Sequence, residues 1–219
     1  MWHYVNAFVF KTSLFPVYGI KVALMRLFGA EIGNNVEIKP NVNIKYPWNL
    51  TIANNVWIGE EVWIDSLVMI TIGSNVCLSQ GALLLTGSHN YKKTTFDLIV
   101  GSIILQDGAW IGAKAIVNQG ITVGSHAVLT TGSVATTDLE AYGIYQGNPA
   151  VKVREGDCIA GLAAWLPFYP SLTSTSFHLS TLPSLRERGL FYLRRLLKIF
   201  QSERSAVRVI PHRHETKDY

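Results

Sequence analysis

The 219-residue chain is poor in charge and almost without cysteine. Charged residues make up 16% of it, against about 25% in an average soluble protein. Low charge with 18 Gly and 8 Pro excludes a disordered or collagen-like chain. Two cysteines, Cys77 and Cys158, exclude a disulfide framework and a four-cysteine zinc site, and fit a reducing compartment. No apolar run reaches the ~18 residues that suggest a membrane span, because Lys11, Pro16, Lys21 and Arg26 interrupt the longest ones. Met1 to Phe10 lack the basic stretch and small-residue cleavage site of a secretory signal, so a cytoplasmic location is expected. No glycine-rich phosphate loop precedes a helix, which leaves nucleotide-triphosphate chemistry without support.

The net charge of +4 belongs to the tail. Residues 1–157 hold ten basic and eleven acidic side chains, and residues 158–219 hold nine and four. No basic stripe crosses the body, so no nucleic-acid partner is expected.

What the chain has is a repeat. Glu31-Ile-Gly-Asn-Asn-Val-Glu-Ile38, Thr51-Ile-Ala-Asn-Asn-Val-Trp-Ile58 and Thr71-Ile-Gly-Ser-Asn-Val-Cys-Leu78 begin 20 residues apart. Inside each, aliphatics recur every six residues, at Ile32, Ile38 and Ile44, then Ile52, Ile58 and Ile64, then Ile72, Leu78 and Leu84. Each group of three ends in a two-residue insertion. The phase resumes at Leu105 and continues through Ile111, Val117, Val123 and Leu129 to Ala135. A second inward set follows four residues later, including Val36, Val42, Val56, Val62, Val68 and Val76.

A period of six is neither helical nor a simple alternation. It fits a short strand and a tight corner, with Gly and Asn supplying the positive φ that corners need. Three sides close a coil, and each coil covers the open edge of the one before. The expectation is an all-β solenoid of about five coils.

Residues 30–155 resemble the hexapeptide-repeat acyltransferases, and within them the WcaF-like group named for colanic-acid and exopolysaccharide biosynthesis. The resemblance rests on Leu27-Phe-Gly-Ala-Glu-Ile-Gly33, Tyr46-Pro-Trp-Asn-Leu50, Ile70-Thr-Ile-Gly73, Leu85-Thr-Gly-Ser-His89 and Gly147-Asn-Pro-Ala150. It implies a left-handed parallel β-helix; the hand comes from the resemblance alone. It also implies acetyl-CoA as co-substrate and a homotrimer.

Between Leu84 and Leu105 the register is lost, and a regular solenoid that throws out a loop offers a candidate site. His89 sits where the wall is left. A neutral imidazole takes and gives protons near neutrality, so His89 is a candidate general base for a hydroxyl attacking a thioester. A loop histidine also serves to hold a turn, and the residues alone leave both readings open. The resemblance implies the catalytic role, because the family's histidine falls at this Thr-Gly-x-His position.

The resemblance further implies coenzyme contacts at Trp110, Ala113, Thr131, Thr136 and Arg154. A lysine common after the threonine is Thr137 here, which leaves Lys114 or Lys152 as substitutes for a phosphate contact. Acceptor candidates are Glu61, Trp63 and Asp65, because carboxylates beside aromatic faces suit a sugar, together with Asn90. An acceptor-contacting asparagine of some relatives is Gly59 in this sequence. A zinc enzyme of this fold needs three converging histidines, and the repeat offers only His89 and His126; no metal is expected.

The ends differ from the repeat. Residues 1–29 are apolar and aromatic, and Val17, Ile20 or Lys21, Leu24, Leu27 and Phe28 follow helical spacing, predicting a helix that covers the first coil. Residues 156–219 form an extension: loop over 158–183, a basic amphipathic helix over 184–201, and disorder beyond 202. Peripheral membrane contact through these ends is a further expectation.

The favoured function is an acetyl-CoA-dependent O-acetyltransferase acting on a sugar or exopolysaccharide precursor. The alternatives are a non-catalytic scaffold or membrane-docking coil, and an N-acetyltransferase on an amino sugar.

Overall fold

The computed structural model describes residues 1–12 and 18–156. Val17 and the expectations for 158–183, 184–201 and 202–219 lie outside the described residues.

The repeat forms a left-handed parallel β-helix with three flat faces. The first face stacks Glu31–Ile32, Leu50–Ile52, Ile70–Ile72, Ile103–Leu105 and Thr122–Val123 in parallel. The second begins at Glu37–Ile38, and the third at Asn43–Ile44. Five coils are complete, and a partial sixth adds Gly143–Gly147 to the second face. Ala150–Glu155 then folds back antiparallel on that last strand.

Strands of two to six residues, mostly two or three, hold because every coil pairs with its neighbours. The stacked aliphatics are the core: Ile38, Ile44, Ile58, Ile64, Ile72, Leu78 and Leu84 are fully buried, as are Leu105, Ile111, Val117, Val123, Leu129 and Ala135. Each buried Ile, Leu or Val is worth about 1.5–3 kcal/mol. Val68 departs from the pattern and is only half-buried. The extra residues at that corner carry the inward position on to Ile70, as they do to Leu50 in the coil before.

The corners explain the Asn and Gly content. Between the first and second faces, Asn35, Asn55 and Asn75 take φ of 55°, 57° and 58°. Their side-chain amides form a ladder, Asn35 to Asn55 at 3.1 Å and Asn55 to Asn75 at 3.2 Å. Between the second and third faces, Asn41, Glu61, Gly81, Lys114 and Gly132 all have positive φ. Gly59 packs under this second corner. A Cβ there would lie 2.9 Å from the Gln80 nitrogen and 3.0 Å from the Leu78 oxygen, so this coil has no room for an asparagine.

The N-terminal cap is helix α1 (Trp2–Val5), a π-helical turn (Asn6–Phe10) and helix α2 (Tyr18–Leu27). The buried side of α2 is Lys21 and Met25, whereas Ile20 and Leu27 are 50% and 78% exposed. Of the expected stripe, Lys21, Leu24 and Phe28 pack on the coil and Ile20 and Leu27 do not; the cap also answers the open edge of the first coil with polar atoms. Arg26 donates to the Ile32 and Gly33 carbonyls on the first face at 2.8 and 2.7 Å. Lys21 Nζ donates to the Lys39 carbonyl on the second face at 2.9 Å, and burial lowers its pKa. On the third face, Trp2 Nε1 donates to the Ile44 carbonyl at 2.8 Å, and Asn6 Oδ1 accepts from the Ile44 N–H at 3.2 Å. Each face therefore ends on a side-chain partner in place of a bare edge.

Candidate active site

The interruption of the repeat is a β-hairpin. Gly87–His89 pairs antiparallel with Leu98–Val100, with His89 opposite Leu98. It leaves the coil at the third corner, between the third and first faces. Thr86, fully buried, anchors its root: the hydroxyl donates to the Asp65 carbonyl at 2.6 Å and accepts from the Leu67 N–H at 2.9 Å. Gly87 follows it, and Leu67 Cδ1 packs where a Cβ would stand.

His89 is exposed at the end of the first hairpin strand. Its Nδ1 lies 2.9 Å from the Phe96 carbonyl oxygen, and its ring stacks on the Phe96 ring at 4.4 Å and 5°. A carbonyl only accepts, so Nδ1 carries a proton, and in the neutral ring the lone pair is on Nε2. That is the tautomer a general base needs, held by a bond and a stacked ring. Phe96 has φ of 48°, a costly conformation for a bulky side chain.

Among the described residues, nucleophilic cysteine chemistry has no comparable support. Burial pushes the Cys77 thiol up to about 11, so it is protonated near neutrality. Among the described residues, no group of three His, Cys, Asp or Glu converges to hold a metal.

The acceptor candidates divide between two corners. Asp65 is at the third corner, buried, and pairs with Lys45 at 3.0 Å. Trp63 begins the same strand and is 45% exposed. Asn90 follows His89; its side-chain oxygen accepts from the Lys92 N–H at 3.1 Å, and its own N–H donates to Asp97 at 2.8 Å. Glu61 lies at the second corner, across the third face from His89, where its positive φ is one of a column of corner residues.

The coenzyme candidates divide likewise. Trp110, on the second face, donates its indole N–H to Ser79 Oγ at 2.9 Å. Ala113 and Thr131 sit at the second corner in successive coils, joined where Gly132 N–H donates to the Ala113 carbonyl at 2.9 Å. Thr136 is at the third corner, and Arg154 is exposed on the antiparallel edge strand opposite Ile144. Lys152 is engaged by Glu140 at 2.7 Å and Glu155 at 2.6 Å, and these two bonds raise its pKa. Lys114 is exposed and closer in sequence to Ala113.

Two contributors were not singled out from the sequence. Phe96 carries no local signal, because its stack and carbonyl contact depend on hairpin register. Lys45 is recognisable only once consecutive coils place it beside Asp65.

The fold and the hairpin together define a hexapeptide-repeat coil with an exposed imidazole on its side arm. No family model matches the chain. The Escherichia coli protein WcaF, named as an acetyltransferase for colanic acid biosynthesis, is 37% identical over 155 residues, covering 71% of this chain and 85% of its own. A hexapeptide-repeat acetyltransferase from Vibrio cholerae superposes with a TM-score of 0.62 at 24% identity, over 66% of this chain and 84% of its own. A galactoside acetyltransferase solved with coenzyme A gives 0.59 at 25% identity, over 63% and 70%. The chain belongs to the WcaF-like hexapeptide-repeat acetyltransferases.

Proposed function

We propose that this acetyltransferase uses acetyl-CoA to acetylate a hydroxyl of a sugar or exopolysaccharide precursor, with His89 as general base. The observation that carries this reading is the Nδ1 contact to Phe96, which leaves Nε2 as an exposed acceptor. His89 Nε2 takes the hydroxyl proton as that oxygen bonds to the acetyl carbonyl carbon. As the carbon–sulfur bond breaks, His89 returns the proton to the departing thiolate. The two substrates meet side by side, and no covalent acyl-enzyme is needed.

The coenzyme would lie along Trp110, Ala113, Thr131, Thr136 and Arg154, with the guanidinium toward a phosphate. The acceptor would meet Glu61, Trp63, Asp65 and Asn90. Because second-corner residues are separated from His89 by the third face, the same reading includes a homotrimer, in which the corner of one copy would approach the hairpin of the next. The hairpin bears exposed Tyr91, Phe96, Leu98, Ile99 and Val100, an apolar arm that a neighbouring copy would cover. The division into a cap (1–29), a catalytic coil (30–155) and an extension (156–219) belongs to the same reading.

The test is thiol release from acetyl-CoA across a panel of sugar acceptors. His89→Ala should lower turnover roughly 100- to 10,000-fold while leaving the melting temperature unchanged. Turnover near the native rate in that variant refutes the base assignment. Alkaline lability of the product separates ester from amide.

A further inference from the structure

A cleft of about 710 Å³ opens between the N-terminal cap and the first two coils. Tyr46 and Trp48 from the third corner, Trp63 from the next coil, and Trp2 and Phe28 from the cap line it. Trp48 and Trp63 remain 49% and 45% exposed although the core is fully packed. Tyr46 and Trp48 lean together with ring centroids 5.1 Å apart. Hydrogen-bonding groups stand among the rings. Asn43 accepts from Asn6 at 2.8 Å, and Lys45 bonds Asp65 at 3.0 Å while lying 5.9 Å from the Tyr46 ring. Among the described residues no carboxylate lines the cleft, and residues 1–30 contain none at all.

The position matters as much as the lining. The Tyr46 N–H donates to Ser66 Oγ at 3.1 Å, and the Leu67 N–H to Thr86 Oγ1 at 2.9 Å. These bonds tie the third corners of three consecutive coils into one column. The cleft lies at its lower end and the His89 hairpin springs from its upper end, one or two strand spacings of ~4.8 Å away. Bare aromatic faces with a few polar groups between them match pyranose rings, which offer C–H faces and hydroxyl edges. The volume falls in the range of small-ligand sites, about 300–1,000 Å³.

We propose that this cleft holds the non-reacting sugars of an oligosaccharide acceptor, those adjoining the residue presented to His89. Lys11 and Lys45, the latter already paired with Asp65 at 3.0 Å, leave the described lining cationic, which selects neutral or anionic sugars over amino sugars. The inference rests on the sugar-acceptor reading above, and it extends that site by two coils and the cap.

The test is binding rather than turnover, so it separates from the catalytic reading. The full-length protein is titrated with cellotetraose, maltotetraose, tetragalacturonate and chitosan tetramer, following calorimetry and tryptophan fluorescence, without coenzyme. At least one neutral or uronate tetrasaccharide should bind saturably at millimolar concentration. His89→Ala should bind it equally well, Trp48→Ala roughly tenfold more weakly, and Trp48→Phe nearly as well as the native chain. Trp63→Ala supplies the same reading if Trp48→Ala fails to fold. No tetrasaccharide binding, native-like binding by the folded alanine variant, a preference for the chitosan tetramer, or loss of binding in His89→Ala each overturns the proposal. Binding by the native chain with no thiol release from acetyl-CoA on any acceptor would instead sink the catalytic reading and leave the cleft intact.

Discussion

Phe96 is where backbone cost and chemistry meet. Its positive φ turns its carbonyl toward His89 Nδ1 while its ring lies flat on the imidazole. Phe96→Ala removes the stack and loosens the ring. Turnover should fall roughly 10- to 100-fold, and the pH profile should broaden as the imidazole samples other orientations. A variant with native kcat and an unchanged profile would assign Phe96 to packing alone. Asp65 shows the complementary case. Its charge is paired with Lys45 and its carbonyl with Thr86, so its first role is to hold the corner beneath the hairpin.

Among elements, the cap carries the clearest division between what could be read and what could not. A covering helix followed from the apolar spacing of residues 17–28. Its facing followed in part, at Lys21, Leu24 and Phe28, but the polar closure of the first coil did not, because Lys21, Arg26 and Asn6 meet backbone groups outside their own helical turns. Hydrophobic periodicity is blind to a side chain recruited as a hydrogen-bond partner. Asn6→Leu should cost about 1–3 kcal/mol in denaturant unfolding, since the buried Ile44 N–H loses its acceptor. A change within error would show that water replaces the amide. The hairpin divides the same way. An excursion from the wall was legible as lost register and its histidine as a position the family resemblance marks, whereas the hairpin itself and the Phe96 contact required the antiparallel pairing.

For the whole molecule, the coil was legible because hexad register repeats the same contact many times over. The assembled site was less so, since the residues fall at two corners of one chain. If a threefold assembly completes it, sedimentation equilibrium should give a mass near three times the 24.3 kDa chain. Mixing inactive His89→Ala with a protein inactivated at Thr131 should then restore part of the turnover. A single-chain mass, or no rescue after subunit exchange, would place both halves of the site in one protomer.

Successive coils need not be equally long. Thr51 aligns with Thr71, Thr71 with Ile104, and Ile104 with Thr122, so turns of 20, 33 and 18 residues stack in unbroken register. All of the surplus leaves at one edge of the prism. Because ladder pairing ignores what hangs outside it, that edge is a mounting rail: an appendage there can lengthen, shrink or be exchanged while the spindle behind it stays the same. Divergence of reactivity in such a molecule therefore requires remodelling of a single side arm, with no new solution to the folding problem.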